Sequence, residues 1–174
     1  MKGVPLPVSA LFLASLVSAS LLCSTSGISA QGQVSTDMAA TATVMRKCVV
    51  TTTPMDFGRY DPASANATAP LDAQAIITVA CTKGALVNIS IDNGTSGASG
   101  VRRMIGGASS YLTYELFQDI AHAIRWGSTA DDGYPGGVAP SRDPRPFIVY
   151  GRVTGGQDVA EGAYHDTVIV TVNF

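Results

Sequence analysis

The chain has 174 residues, with 11 Lys+Arg against 13 Asp+Glu, a formal net charge of −2 and only 14% charged residues. Charge this sparse, spread without runs, excludes a partner recognised through its phosphates, so nucleic acid is ruled out. Hydrophobic residues make up 46%, and 18 Gly and 9 Pro supply many turns, a balance that fits one β-sandwich domain better than a helical bundle.

Residues 1–30 read as a signal peptide: a lone positive charge at Lys2, an apolar run over residues 8–22, and Ser29-Ala30 before Gln31. A membrane anchor is the competing reading, but the apolar core is short and rich in serine. Cys23 follows Leu22, where lipoprotein processing requires a small side chain, so it is removed with the signal. Loss of Lys2 takes the net charge from −2 to −3.

Residues 33–44 alternate with a period of two. Val34, Thr36, Met38, Ala40, Ala42 and Val44 share one parity, while Gln33, Ser35, Asp37, Thr41 and Thr43 hold the other. The pattern is that of a strand; a Thr/Ala-rich tail that never orders is the alternative, and these residues alone leave both open. Cys48 and Cys81 are the remaining cysteines of the processed chain. In an oxidising compartment they imply a disulfide, worth roughly 3–4 kcal/mol on the loop-entropy model. Metal ligation competes poorly, having no C-x-x-C pair and two distant histidines.

A β-branched run over residues 47–53 ends at Pro54, and residues 55–62 form a short extended piece entering a turn. Residues 63–70 are a polar surface loop. Residues 75–81 and 86–91 flank Lys83-Gly84 and read as a hairpin. The glycine-rich residues 93–100 form a loop without the ending or the helix of a phosphate site. Over residues 111–126 the rules conflict. Leu112, Leu116, Ile120 and Ile124 recur at helical spacing, yet Leu112, Tyr114 and Leu116 also share a strand face. Residues 127–146 carry Gly133, Pro135, Gly136, Gly137 and Pro140 and read as a long loop. A strand follows over residues 147–153, then a turn at Gly155-Gly156. The sequence closes on its best strand, residues 164–174, with Val168, Val170, Val172 and Phe174 on one face. Strands at both ends of an exported all-β domain invite pairing with another chain through unpaired N–H and C=O groups.

Eight short motifs occur in order. They are Cys48; Phe57-Gly58 with Tyr60 and Pro62; Val79, Cys81-Thr82 and Gly84; Arg103-Met104; Leu112, Tyr114, Leu116-Phe117 and Asp119; Trp126-Gly127; Val149 through Val153; and Gly162, Tyr164 and Asp166. Together they resemble the spore coat protein U domain, a family that includes subunits of archaic, Csu-type chaperone–usher pili. The resemblance spans nearly all of the processed chain. It implies an incomplete immunoglobulin-like sandwich that lacks its final strand and is completed by donor-strand exchange. A periplasmic chaperone would fill the groove first, and at an outer-membrane usher the N-terminal extension of the next subunit would replace it. On that reading residues 31–46 are the donor extension and residues 47–174 the domain. Val34, Thr36, Met38, Ala40, Ala42 and Val44 form the donor face, and Val168, Val170, Val172 and Phe174 border the acceptor groove. It also makes residues 111–117 a strand. The donor stretch is poor in bulky aliphatics, so its register stays open.

Catalysis is not expected: His122 and His165 stand apart from any recognisable Ser or Cys nucleophile. No cofactor or metal is expected either, since Asp131-Asp132-Gly133 lacks the rest of a calcium loop. Asn66, Asn88 and Asn93 begin N-x-Ser/Thr triplets that carry little meaning in a bacterial-type exported chain. The expected function is a pilus subunit at the cell surface, polymerising with identical or related subunits for adhesion or biofilm formation. The alternatives are a tip adhesin and a non-fibrous secreted or spore-coat-like protein.

Overall fold

The computed structural model describes residues 32–174; the expected signal peptide, Cys23 and Gln31 lie outside them. The chain divides into Met1–Thr41 and Ala42–Phe174. In the first, residues 32–41 are exposed and form neither strand nor helix. All eight described strands belong to the second: β1 (Cys48–Thr52), β2 (Leu71–Cys81), β3 (Leu86–Ile91), β4 (Arg102–Ile105), β5 (Tyr111–Phe117), β6 (Tyr134–Val138), β7 (Arg145–Val153) and β8 (Val170–Asn173).

They build two antiparallel sheets, β1-β2-β7-β5-β4 and β6-β3-β8. The inward parity of each long strand is apolar: Ala75, Ile77, Val79 and Cys81 on β2, Leu112, Tyr114 and Leu116 on β5, Val149 and Val153 on β7. From the other sheet Val87, Ile89 and Ile91 of β3 meet them. Trp126 is fully buried; its Nε1–H donates to the Ile89 carbonyl at 2.9 Å, and its ring stacks on Tyr134. The architecture is an all-β sandwich of the immunoglobulin-like kind.

Residues 111–117 are a strand, as the resemblance implied. The helical spacing was misleading because Ile120 and Ile124 lie exposed in the loop that follows.

Four local expectations are corrected. The pair flanking Lys83-Gly84 is not a hairpin, because β2 and β3 belong to opposite sheets. Gly84 at φ +87 turns the chain, and its N–H donates to the Ala139 carbonyl, so the turn carries the chain across the core. Residues 127–146 contain a strand, β6, despite their breakers. Pro135 is tolerated because β6 is an edge strand, and Gly136 occupies a bulge opposite the Val87/Asn88 step. A Cβ on Gly136 would sit 2.9 Å from Val87 Cγ1. The strand over residues 164–174 is divided. His165 exchanges backbone hydrogen bonds with Ile105 of one sheet, and only Val170–Asn173 pair with β3 of the other. Finally, β4 formed outside every expected strand; with four residues against β5, it is too short for a period to declare itself.

Candidate functional site: an uncovered groove between two strand edges

Antiparallel partners that stand opposite one another project their side chains to the same face of the sheet. Val50 stands opposite Val79 and Thr52 opposite Ile77, so β1 aims both at the core. Yet Val50 is 39% exposed and Thr52 is exposed, whereas Val79 and Ile77 are buried. On the other sheet, Val170 faces Ile91 and Val172 faces Ile89, and both valines remain only half-buried. Two edge strands thus direct apolar or β-branched side chains inward, and within Ala42–Phe174 nothing is laid over them. The outer edge of each has no ladder partner within that unit.

Between the two edges lies a cleft of about 390 Å³. Thr52, Thr53 and Pro54 form one rim, Thr167, Val168 and Val170 the other, and Ile77, Ile91, Tyr114, Leu116 and Val149 the floor. It adjoins a cleft of about 650 Å³ lined by Leu71, Leu112, Val153 and Val159, with Met55, Phe57, Met104 and Tyr164 shared by both. The two make one elongated apolar groove. Gly151 positions its midpoint, because a Cβ there would sit 2.2 Å from Met55 Sδ and 2.8 Å from Phe57 Cζ. With hydrogen in that place, Phe57 packs edge-on against Tyr114 at 5.9 Å.

Polar anchors hold the segment that forms the far rim. The Tyr114 hydroxyl donates to Asp166 Oδ2 at 2.8 Å, while Asp166 Oδ1 accepts from Ser96 N–H and Thr95 Oγ1. Gly94, at φ +81, lies beneath this carboxylate, where a Cβ would fall within 1.9 Å of Oδ2. Burial first, and then the hydrogen bond to Asp166, push the Tyr114 phenol far above its ordinary value. The Tyr164 hydroxyl donates to the Ala160 carbonyl at 2.7 Å. Gln157 ties the segment after β7 to β5: its Oε1 accepts from Thr113 N–H at 2.8 Å and its Nε2 donates to the Thr113 carbonyl at 2.9 Å.

The most buried charged side chain among the described residues escaped the sequence reading. Arg102 has no exposed surface; it pairs with Glu115 and donates to the carbonyls of Ile91, Asp92 and Trp126. Glu115 is shared with Arg125 Nε at 2.5 Å. The sequence motif at this point is the neighbouring Arg103-Met104. Four residues carry no period that marks Arg102 as inward; only the pairing of β4 with β5 sets it opposite Tyr114.

The residues singled out from sequence fall as follows. Val34 and Met38 are 96% and 91% exposed, and every residue from 32 to 47, including Thr36, Ala40, Ala42 and Val44, is exposed. Val168 and Val170 line the groove, Val172 continues β8 beyond it, and Phe174 is exposed. Cys48 and Cys81 form a disulfide that joins opposed residues of β1 and β2. His165 lies on the groove rim. Asp132 Oδ1 accepts from Thr129 N–H and Oγ1, both at 2.6 Å, in a local turn, and Asn66 is a buried brace whose Oδ1 accepts from Asp61 N–H.

Comparison with known proteins agrees with this architecture. A chain in the crystal structure of the CsuC–CsuE chaperone–tip adhesion subunit pre-assembly complex, from archaic chaperone–usher Csu pili of Acinetobacter baumannii, superposes with a TM-score of 0.54 at 22% identity. The match covers 76% of the present chain but only 40% of the solved one. Protein U of Myxococcus xanthus is 36% identical over 129 residues, 69% of this chain and 71% of its own. Residues 34–171 match the Spore Coat Protein U domain. A sandwich of this topology, with that span of sequence similarity, belongs to the Spore Coat Protein U domain family.

Proposed function

We propose that the protein is a structural subunit of a surface pilus, exported through the periplasm, whose groove is filled by donor-strand complementation. The observation that carries this reading is the pair of uncovered inward faces, on β1 and β8, flanking one apolar groove. In this scheme residues 1–30 are the signal, residues 31–46 the donor extension and residues 47–174 the receiving domain. A periplasmic chaperone would occupy the groove before assembly, an outer-membrane usher would be the site of exchange, and identical or related subunits would follow one another in a fibre supporting adhesion or biofilm formation.

The energetics favour an added strand. An inserted strand of about ten residues satisfies two unpaired edges and buries apolar side chains, each worth roughly 1.5–3 kcal/mol when large and fully covered. Ala40 and Ala42 contribute little, so the gain rests on Val34, Met38 and Val44. All three are exposed in this chain and share a parity, which supports their release to a neighbour.

Deletion of residues 31–44 tests the reading. The shortened subunit is expected to keep its fold and its capacity to receive a strand, while failing to extend the fibre beyond itself. Met38→Asp is expected to reduce fibre yield and denaturant resistance by placing a charge against core. A processed protein that stays a soluble, heat-stable monomer with its own tail in its own groove would overturn the proposal.

A further inference from the structure

The outward face of the five-stranded sheet carries a second feature, independent of the groove. β2 and β7 set Asp72 opposite Arg152 and Gln74 opposite Tyr150, on the parity that points away from the core. The loop after β5 doubles back beside these four. Gln118 N–H donates to the Ile124 carbonyl, the Asp119 carboxylate accepts from Ala123 N–H and Ile124 N–H, and His122 takes a left-handed φ of 56°. The imidazole then stands edge-on to Phe117 at 5.1 Å and to Tyr150 at 6.3 Å. Asp72, Gln74, Ile120, His122, Tyr150 and Arg152 enclose an open pocket of about 330 Å³.

The His122 side chain is 7% exposed, yet its Nε2 has no hydrogen-bond partner among the described residues. The facing carboxylate oxygen, Asp72 Oδ1, stands at 3.9 Å, beyond hydrogen-bond reach. A buried, unsatisfied ring nitrogen is disfavoured, so this atom calls for a partner within the pocket. A group with both a donor and an acceptor would bridge it to Asp72.

The charges select among partners. Arg152 gives Nε and Nη2 to the two oxygens of Asp72, both at 2.7 Å, so cation and anion already neutralise one another. A charged ligand of either sign would find no free countercharge. What remains is a set of donors and acceptors: the spare lone pairs of Asp72, the Gln74 amide, the Arg152 N–H groups not given to Asp72, and His122 Nε2. The Tyr150 ring and the exposed side chain of Ile120 add apolar surface. Hydroxyls radiating from an apolar ring meet both demands, and the volume lies near the lower bound of about 300 Å³ for ligand pockets, room for one ring. We infer that this pocket binds a neutral pyranose, with His122 Nε2 and Asp72 bridged by one of its hydroxyls. The site uses no groove residue and stands whether or not the chain polymerises.

The test is saturation-transfer NMR and titration of the full processed chain with methyl α-mannopyranoside, methyl β-galactopyranoside and methyl β-N-acetylglucosaminide, with glucuronate and glucosamine as charged controls. At least one neutral glycoside is expected to bind at millimolar strength, and Gln74→Ala and His122→Ala each to weaken it roughly tenfold, the loss of about one hydrogen bond. Gln74 is exposed on a strand face, so its variant remains informative if His122→Ala misfolds. Absence of binding by all three glycosides, equal or tighter binding of a charged control, or affinity unchanged in Gln74→Ala would each overturn the inference.

Discussion

Arg102 shows how much one residue can organise. Its guanidinium, with no exposed surface, satisfies three main-chain carbonyls at the end of β3 and at Trp126, and Glu115 balances its charge. Glu115→Ala leaves that cation buried without a countercharge, and breaking such a pair by deleting one partner costs about 3–5 kcal/mol. The expected outcome is a loss of that order in urea unfolding of the strand-complemented subunit, with Glu115→Gln less affected. Tyr114 gives a second handle at this scale. Its folded value lies far above the 10.0 of a free tyrosine, with burial the leading cause and Asp166 the next. The folded state therefore favours the neutral phenol, so stability is complete below about pH 10 and falls as unfolded tyrosine ionises above it. Tyr114→Phe is expected to be less stable at neutral pH and to show a shallower alkaline decline, read as the unfolding midpoint against pH. At the acid end, the Arg152 hydrogen bonds hold the Asp72 carboxyl below its usual range. Its modest contribution is present above about pH 4 and lost as pH falls further.

At the scale of elements, β1 is the weak partner in the groove. It has five residues, one neighbour, and side chains exposed along nearly its whole length. The Cys48–Cys81 disulfide closes a 33-residue separation and clamps the first residue of β1 to the last of β2. Replacing both cysteines by serine is expected to cost roughly 3–4 kcal/mol on the chain-entropy model. Because β1 is an edge, the loss should appear first as faster amide exchange over residues 48–52, with β2, β5 and β7 still protected. Uniform exchange across all strands would show that the disulfide supports the whole sandwich and not this edge. Gly151 belongs to the same scale: Gly151→Val is expected to displace Met55 and Phe57 and so narrow acceptance of a strand, measured as weakened binding of a donor peptide.

For the whole molecule, the proposal has a quantitative consequence. A chain whose groove awaits a strand is stabilised by whatever fills it, by about 2.7 kcal/mol when the occupant is at 100 times its dissociation constant. A synthetic peptide of residues 31–46, added to protein lacking that segment, is expected to raise the thermal midpoint in a concentration-dependent manner. The Met38→Asp peptide is expected to raise it less. No shift with the native peptide at saturation would argue that the groove is not a strand site.

The pleat is local, so alternation gave the apolar parity of the longer strands; composition pointed to an all-β class, two cysteines in an exported chain to the Cys48–Cys81 disulfide, and short motifs in order to the family resemblance. Partner choice is not local. That β2 and β3 part into opposite sheets, that Pro135 and Gly136 lie in an edge strand, that Arg102 is sealed inside while Val50 is not, and that His122 meets Asp72 across 50 residues all depend on hydrogen-bond ladders and packing between segments distant in the chain. A side chain's parity is set by its own backbone, but whether that face is covered is set by what the rest of the fold places over it.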